Sequence, residues 1–335
     1  MSYLKYYIYK RQYSDDDGVT WQDVYPAETE PGGELIGRYD TLAECEESPV
    51  LIPFAVIALE DDTWFNCGVR HAVEGWVRVS HNGAGQFING GGLASFKINK
   101  DEKVYVYGSL HDLAPGHGTL MGIGCSKRYK IEGEYLDLQS SGESLGNVFN
   151  DNNLVSAKDL IIREGCKCGY LFSGCVSLAE PPQLQATTMA NTSYYHMFEG
   201  CTSLTTAPQL PATTLSYGCY GGMFYGCTSL TTAPQLPATT LAKLCYEEMF
   251  YGCTSLTTAP QLPATTLSDG CYGGMFKGCR NLNSITCLAE SGIGGYNTSI
   301  WVDGVSATGT FIKKAGVSWP TGDDGIPSGW TVVEV

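Results

Sequence analysis

MFYGCTSLTTAPQLPATTLAKLCYEE, residues 223–248, is followed at once by MFYGCTSLTTAPQLPATTLSDGCYGG, residues 249–274. The constant columns step by twenty-six residues: Phe172, Phe198, Phe224, Phe250 and Phe276, and beside them Cys175, Cys201, Cys227, Cys253 and Cys279. Self-similarity at a fixed period of about 20 to 50 residues marks a solenoid. One copy holds few apolar residues (Phe224, Cys227, Leu230, Ala233, Leu236, Leu241, Cys245, Met249), spaced three to five apart. That spacing is too irregular for an amphipathic helix and too sparse for an alternating strand. A single coil cannot bury such residues. Stacked coils can, because each side chain then rests on its own equivalent about 4.8 Å away. The phenylalanine and cysteine columns are therefore expected to be the structural ladder. Thr231 and Thr232 predict a short strand segment, and Pro234 and Pro237 mark corners, since proline donates no ladder bond.

FxGCxSL followed by a Leu-Pro corner resembles the BspA-like leucine-rich repeats of bacterial surface proteins, and MFYGCTSLTTAP resembles their Thr-rich version. The resemblance covers residues 165–288, with extra residues at 234–240 relative to the shorter family consensus. It implies a curved, mostly β solenoid used for binding, in proteins exported to the cell surface.

The chain has 335 residues, with 43% hydrophobic and 16% charged, which predicts a folded protein of two or three domains. The net charge of −15 has the wrong sign for a nucleic-acid backbone or an anionic membrane surface. No stretch has the length and apolarity of a membrane span, so no membrane insertion is expected. Of the fourteen cysteines, most belong to two repeat columns, the Cys227 type and the Cys219, Cys245, Cys271 type. Buried free thiols stacked as a ladder are the favoured reading; disulfides between neighbouring coils are the alternative. No CxxC pair occurs, so neither a metal nor a cofactor is expected. Residues 1–17 alternate aromatic and polar residues without an apolar run, which predicts a strand and no signal peptide. A bacteriophage virion, assembled in the cytoplasm and released by lysis, would reach the outside without one and keep thiols reduced while they fold.

Four regions are expected. Residues 1–48 form an N-terminal β hairpin unit, with strands over 3–12 and 20–25 joined by Asp15-Asp16-Asp17-Gly18. Ser14, Asp16, Gly18, Thr20 and Trp21 also match the Asp-box of sialidase propellers, itself a structural hairpin, here without propeller repeats. Residues 26–34 are a loop or linker. Residues 49–140 form a β-sandwich with strands over 54–59, 76–80, 94–98, 103–107 and 129–136. Residues 141–288 are the leucine-rich-repeat solenoid with an N-terminal capping segment, in which 158–163 pairs with the first full coil. Residues 289–335 form a small β C-terminal cap with strands over 298–305, 309–313 and 330–335, and with Trp301, Trp319 and Trp330 covering the last coil.

The glycine-rich residues 83–92 lack the Gly-Lys-Ser/Thr of a phosphate loop, and His111, Asp112 and His117 read as polar loop residues rather than metal ligands. None of the five histidines sits beside a nucleophile with an orienting acid, and neither GxSxG nor HExxH occurs, so no catalytic residues are expected. The polar output of the repeats is hydroxyl and amide: Thr206, Thr232, Thr258, Gln209, Gln235 and Gln261 are candidate ligand-binding residues. Tyr220, Tyr246 and Tyr272 join them, because aromatic faces stack on sugars and tyrosine favours protein interfaces. Packing of tyrosine on tyrosine between coils is the competing account.

These observations predict a mainly β, non-enzymatic recognition or adhesion protein. Its expected partner is a host or cell-surface glycan or protein bound through the solenoid, and its expected place is extracellular, on the bacterial surface. A virion tail or head fibre, in contact with other virion proteins, is the alternative, and a carbohydrate-active hydrolase a distant one.

Overall fold

The computed structural model describes residues 151–335 throughout, and before them residues 6–9, 12–14, 22–23, 35–39, 54–70, 77–81, 84–88, 93–108, 119–135 and 148–149. The chain is mainly β with almost no helix, and it builds a β-solenoid of about 7 turns. Residues 15–21 of the Asp-box, the linker 26–34 and His111, Asp112 and His117 lie outside the described residues.

The first strands are β1 (Tyr6–Tyr9), β2 (Gln12–Ser14), β3 (Gln22–Asp23) and β4 (Leu35–Tyr39), in the order β3-β2-β1-β4. The single strand expected over residues 3–12 is two strands, because the chain reverses and Tyr7 pairs antiparallel with Ser14.

Next come β5 (Phe54–Ala58), β6 (Thr63–Arg70), β7 (Val77–His81), β8 (Ala84–Ile88), β9 (Leu93–Ile98), β10 (Lys103–Gly108), β11 (Thr119–Cys125) and β12 (Tyr129–Tyr135). The strands β11-β6-β9 form one sheet. The other sheet continues through β13 (Leu154–Ile162) and β14 (Gln183–Leu184), in the order β14-β13-β12-β5-β10-β7-β8. Its strand β12 pairs antiparallel with β5 on one side and parallel with β13 on the other. One sheet therefore crosses the boundary expected at residue 140 and carries the antiparallel region into the parallel ladder of the solenoid.

From β13 onward each coil stacks on the last. Phe149 is the first rung: its ring stacks on Phe172 at 5.3 Å. Phe172, Phe198, Phe224, Phe250 and Phe276 follow at 5.5 to 5.7 Å between successive rings, all fully buried. Every described cysteine is buried, and those of the two repeat columns, Cys175 to Cys279 and Cys219 to Cys271, are free. In the main column each thiol donates to the phenylalanine carbonyl of the preceding coil: Cys201 to Phe172 at 3.2 Å, Cys227 to Phe198 and Cys253 to Phe224 at 3.1 Å, and Cys279 to Phe250 at 3.0 Å. Cys175 bonds the Phe149 carbonyl in the same way.

The ladder runs on past residue 288. β15 (Ser284–Cys287), β16 (Thr310–Lys313) and β17 (Thr331–Glu334) pair parallel, each one coil after the last. The strand expected over residues 298–305 is not one. A short 3-10 helix, Gly295–Thr298, and further turns occupy this region, and they carry the same inter-coil bonds as the repeats: Phe276 N–H donates to Trp301 O and Gly278 N–H to Asp303 O. Trp301, Trp319 and Trp330 are buried at this end, with Trp301 stacked on Trp319 at 5.6 Å.

Burial pushes these thiols up. Cys175, Cys279 and Cys287 rise from 9.0 to about 12 and Cys219 to about 11, in each case first through loss of hydration. The unfolded chain therefore releases thiol protons above pH 9 while the folded chain keeps them. Each such thiol lowers stability by about 1.4 kcal/mol per pH unit between its unfolded and folded values. Below pH 9 the contribution is complete. A titration under reducing conditions, followed by circular dichroism and thiolate absorbance, should show one cooperative loss of structure between pH 9 and 12, with the thiolate signal rising in the same step. Thiolate absorbance that rises well before structure is lost would contradict the buried ladder.

Candidate recognition surface

Each coil has two flanks of different character. The strand flank, residues 205–214 in one coil, alternates: Ala207, Leu210 and Ala212 are buried, while Gln209, Pro211 and Thr213 are exposed. An extended backbone sends successive side chains to opposite faces, so the sequence QLPATT seats leucine and alanine inward and glutamine, proline and threonine outward. Thr206, Thr232 and Thr258 are exposed and lie on the inter-coil ladder, Thr206 bridging Thr232 and Thr258 bridging Ser284. Gln209, Gln235 and Gln261 are exposed as well. Six of the nine expected ligand residues thus share one face, and residues 205–216, 231–242 and 257–268 hold no charged side chain.

The turn flank, residues 216–227 in the same coil, bonds every backbone N–H from Gly218 to Cys227. N–H groups of Gly218, Tyr220, Gly222, Phe224 and Gly226 donate up the axis to carbonyls 25 residues later, at 2.7 to 3.1 Å. Those of Cys219, Gly221, Met223, Tyr225 and Cys227 close turns onto the residue three earlier. Such turns need a left-handed residue at every fourth position, which Gly218, Gly222 and Gly226 supply. In the coils on either side the first two of these positions are not glycine. Thr192, His196, Leu244 and Glu248 hold φ of 50° to 57°, as Ile300 does at 47° further on. Side chains there cost of order 1–2 kcal/mol apiece. The reason they alternate with glycine is space. A Cβ at Gly222 would lie 2.4 Å from the His196 ring, and one at Gly274 would lie 3.0 Å from Glu248 Cγ. From His196 onward large and empty positions alternate, as His196, Gly222, Glu248, Gly274 and Ile300; one coil earlier the pattern is different, with Tyr170 (φ 59°) also large and stacked on His196.

The tyrosines divide between core and surface. Tyr220, Tyr246 and Tyr272 are 1% exposed, which corrects the expectation that they face a ligand. Their rings pack along the axis, Tyr220 on Tyr246 at 5.8 Å and Tyr246 on Tyr272 at 6.2 Å, so packing between coils is their role. Burial drives their hydroxyls far above the ordinary tyrosine range. The half-buried aromatic column is a different one. Tyr170 stacks on His196 (5.2 Å), His196 leans on Tyr225 (5.9 Å), Tyr225 stacks on Tyr251 (4.4 Å), and Lys277 lies over the Tyr251 ring (5.9 Å). Stacking along the axis turns ring faces toward one another and leaves edges and hydroxyls to solvent.

Charge gathers on this flank. Lys243 pairs with Asp269 at 2.7 Å and Lys277 with Asp303 at 3.3 Å. His196 Nδ1 lies 3.0 Å from Glu199 Oε2, without the alignment of a hydrogen bond. Glu247 is held above the usual carboxylate range, first by burial and then by neighbouring Glu248. Tyr195 rises to about 12, first through burial and then beside Tyr170. Among the described residues no three His, Cys, Asp or Glu side chains converge as a metal site.

Sequence reasoning missed Tyr170, His196 and Lys277 as members of one stack. The available signal was the alternation Tyr195-His196, Gly221-Gly222, Glu247-Glu248, Gly273-Gly274.

Gly222→Ala should destabilise by roughly 2–4 kcal/mol, from left-handed strain plus the clash with His196. His196→Gly in the same chain should recover at least 1 kcal/mol beyond its own single effect, because it exchanges the large and small positions. Urea midpoints of the two single variants and the double variant test this; strict additivity would refute the alternation.

The chain matches no protein-family model, no curated protein and no solved structure.

Proposed function

We propose that this chain is a non-enzymatic recognition or adhesion protein of the BspA-like kind, a leucine-rich-repeat solenoid preceded by a β-sandwich, whose solenoid binds a cell-surface glycan or protein. The observation that carries the reading is the strand flank. The same exposed hydroxyls and amides recur in successive coils on a backbone fixed by inter-coil bonds, with Thr206 bridged to Thr232 and Gln209, Gln235 and Gln261 pointing outward. A rigid array of this kind meets a partner with little ordering cost, and each added coil adds contact of the same type.

A second reading, that the chain is a component of a bacteriophage particle, is favoured by the thiols. The thiols of the two repeat columns are free and buried, and neighbouring coils bring equivalent thiols near enough to act on one another electrostatically. Such a core suits assembly in a reducing compartment, where unfolded chains are not cross-linked before the ladder closes.

Labelled full-length chain, incubated with intact bacterial and epithelial cells before and after protease or glycosidase treatment, should bind saturably at micromolar concentration or below. Binding to none of these cells would overturn the recognition reading. Fractionation of the source culture into particles, membranes and medium separates the two settings: the chain should be enriched in membranes if it is an adhesin, and should band with particles if it is a virion component.

A further inference from the structure

We propose that the strand flank is the ligand face, and that its ligand is an uncharged, hydroxyl-rich linear polysaccharide lying along the solenoid axis. The inference rests on the recognition reading above and names its ligand class.

Charge comes first. The chain carries −15, yet residues 205–216, 231–242 and 257–268 contribute nothing to it. An anionic polymer would be repelled by the molecule as a whole, and a cationic one would find no carboxylate on this face. A neutral polymer loses nothing in either respect.

The chemistry of the columns agrees. Gln235 offers an amide that both donates and accepts. Pro237, two residues on, offers a rigid apolar ring, and Thr239, two further, a hydroxyl; all three are exposed. Along the strand these groups stand roughly 6.6 Å apart, and each recurs about 4.8 Å away in the next coil. A sugar ring has the same mixture, apolar C–H faces rimmed by hydroxyls. The proline ring supplies the platform that the tyrosines do not, since Tyr220, Tyr246 and Tyr272 are buried and Tyr225 and Tyr251 turn their faces to each other. Among the described residues no protein group bonds the amides of Gln209, Gln235 and Gln261, whereas in the first coil Gln183 donates to Lys158 O at 3.3 Å.

Periodicity decides between the flanks. A polymer repeats the same unit along its length and gains most from a surface that repeats too. QLPATT returns unchanged at residues 209–214, 235–240 and 261–266. The turn flank changes character in every coil, from Tyr195-His196 to Gly221-Gly222 to Glu247-Glu248. Only the strand flank offers a repeating ligand the same partner each time.

The test uses the full chain and measures its depletion by insoluble cellulose, chitin and cross-linked dextran, with carboxymethyl cellulose as the charged counterpart of the first. At least one neutral polymer should bind, and carboxymethyl cellulose should bind at least tenfold more weakly than cellulose. Replacing Gln209, Gln235 and Gln261 together by Ala should weaken binding at least tenfold with the circular dichroism unchanged, because all three side chains are exposed. Deleting residues 227–252, one whole coil, should weaken it several-fold while the remaining coils stay in register. The inference is overturned if no neutral polymer binds, if the charged polymer binds as well, or if the triple variant binds like the parent. Loss of binding in Tyr225→Ala and Tyr251→Ala, with the triple variant unaffected, would move the ligand to the turn flank. In that case, and equally if cells bind but no polysaccharide does, the recognition reading survives and this inference does not.

Discussion

On the turn flank a backbone N–H has two possible acceptors: a carbonyl three residues back in its own coil, or one 25 residues ahead in the next. The chain uses them strictly in turn, Gly218 upward, Cys219 inward, Tyr220 upward, Gly221 inward. From Gly218 to Cys227 no amide is left over, which a buried backbone demands. The cost of this arrangement is a left-handed residue at every fourth position. The benefit is a fixed repeat length. The step of 25 is the same from Phe172 to Met197, Phe198 to Met223, Phe224 to Met249 and Phe250 to Met275. Inserting one residue would turn every upward donor inward. The near-identity of successive repeats is in part the consequence of that bookkeeping.

A ladder of identical neighbours also selects what can sit in the core. Each side chain must pack on a copy of itself, about one strand spacing away. Phenylalanine does so by parallel stacking, with interplanar angles of 2° to 10° along Phe172 to Phe276. Cysteine does so while also donating its S–H to a carbonyl that already accepts an N–H. Phe224 O takes both Cys227 N–H and the Cys253 thiol. Alanine would fill less space and donate nothing, and a β-branched residue would press on its own copy. The column from Cys175 to Cys279 is therefore explained by size and by a second lone pair to satisfy.

This also marks what was legible in the sequence. Columns separated by one constant step are visible as letters, so the solenoid, the Phe172 and Cys175 columns and the exposed Thr206 and Gln209 columns could be read without coordinates. Three things could not. Phe149 stacks on Phe172 from outside the repeated stretch, twenty-three residues earlier and without the flanking motif. Residues 298–305 look like a strand because Ile300, Trp301 and Val302 are consecutive and apolar, yet the N–H of Phe276 and of Gly278 bind their carbonyls in the turn pattern. Tyr220 and Tyr225 are both tyrosines on one flank, five residues apart. Which of them faces the core depends on where the left-handed residues fall, and that is a property of the backbone. The wrong assignment of Tyr220 as a ligand residue came from reading residue type where turn geometry decides.

The two flanks then differ for a reason that bears on recognition. On the turn flank a side chain is constrained by its neighbours along the axis: His196 can be large because Gly222 is empty, and Glu248 because Gly274 is. From His196 onward a large residue in one coil faces glycine in the next, while Tyr170 and His196 are both large and stack, so the flank presents no uniform surface. On the strand flank Thr231 Oγ1 donates to Thr205 O of the preceding coil at 3.1 Å, whereas among the described residues no protein group bonds the amides of Gln209, Gln235 and Gln261. Gln235 and Thr239, like Gln209 and Thr213, are exposed, so core packing does not dictate their identity. Core packing explains why Leu236 and Ala238 repeat; it does not explain why the glutamine and threonine between and beside them repeat as well. Uniformity at positions the core does not dictate is what the proposed ligand face requires, and the turn flank does not offer it.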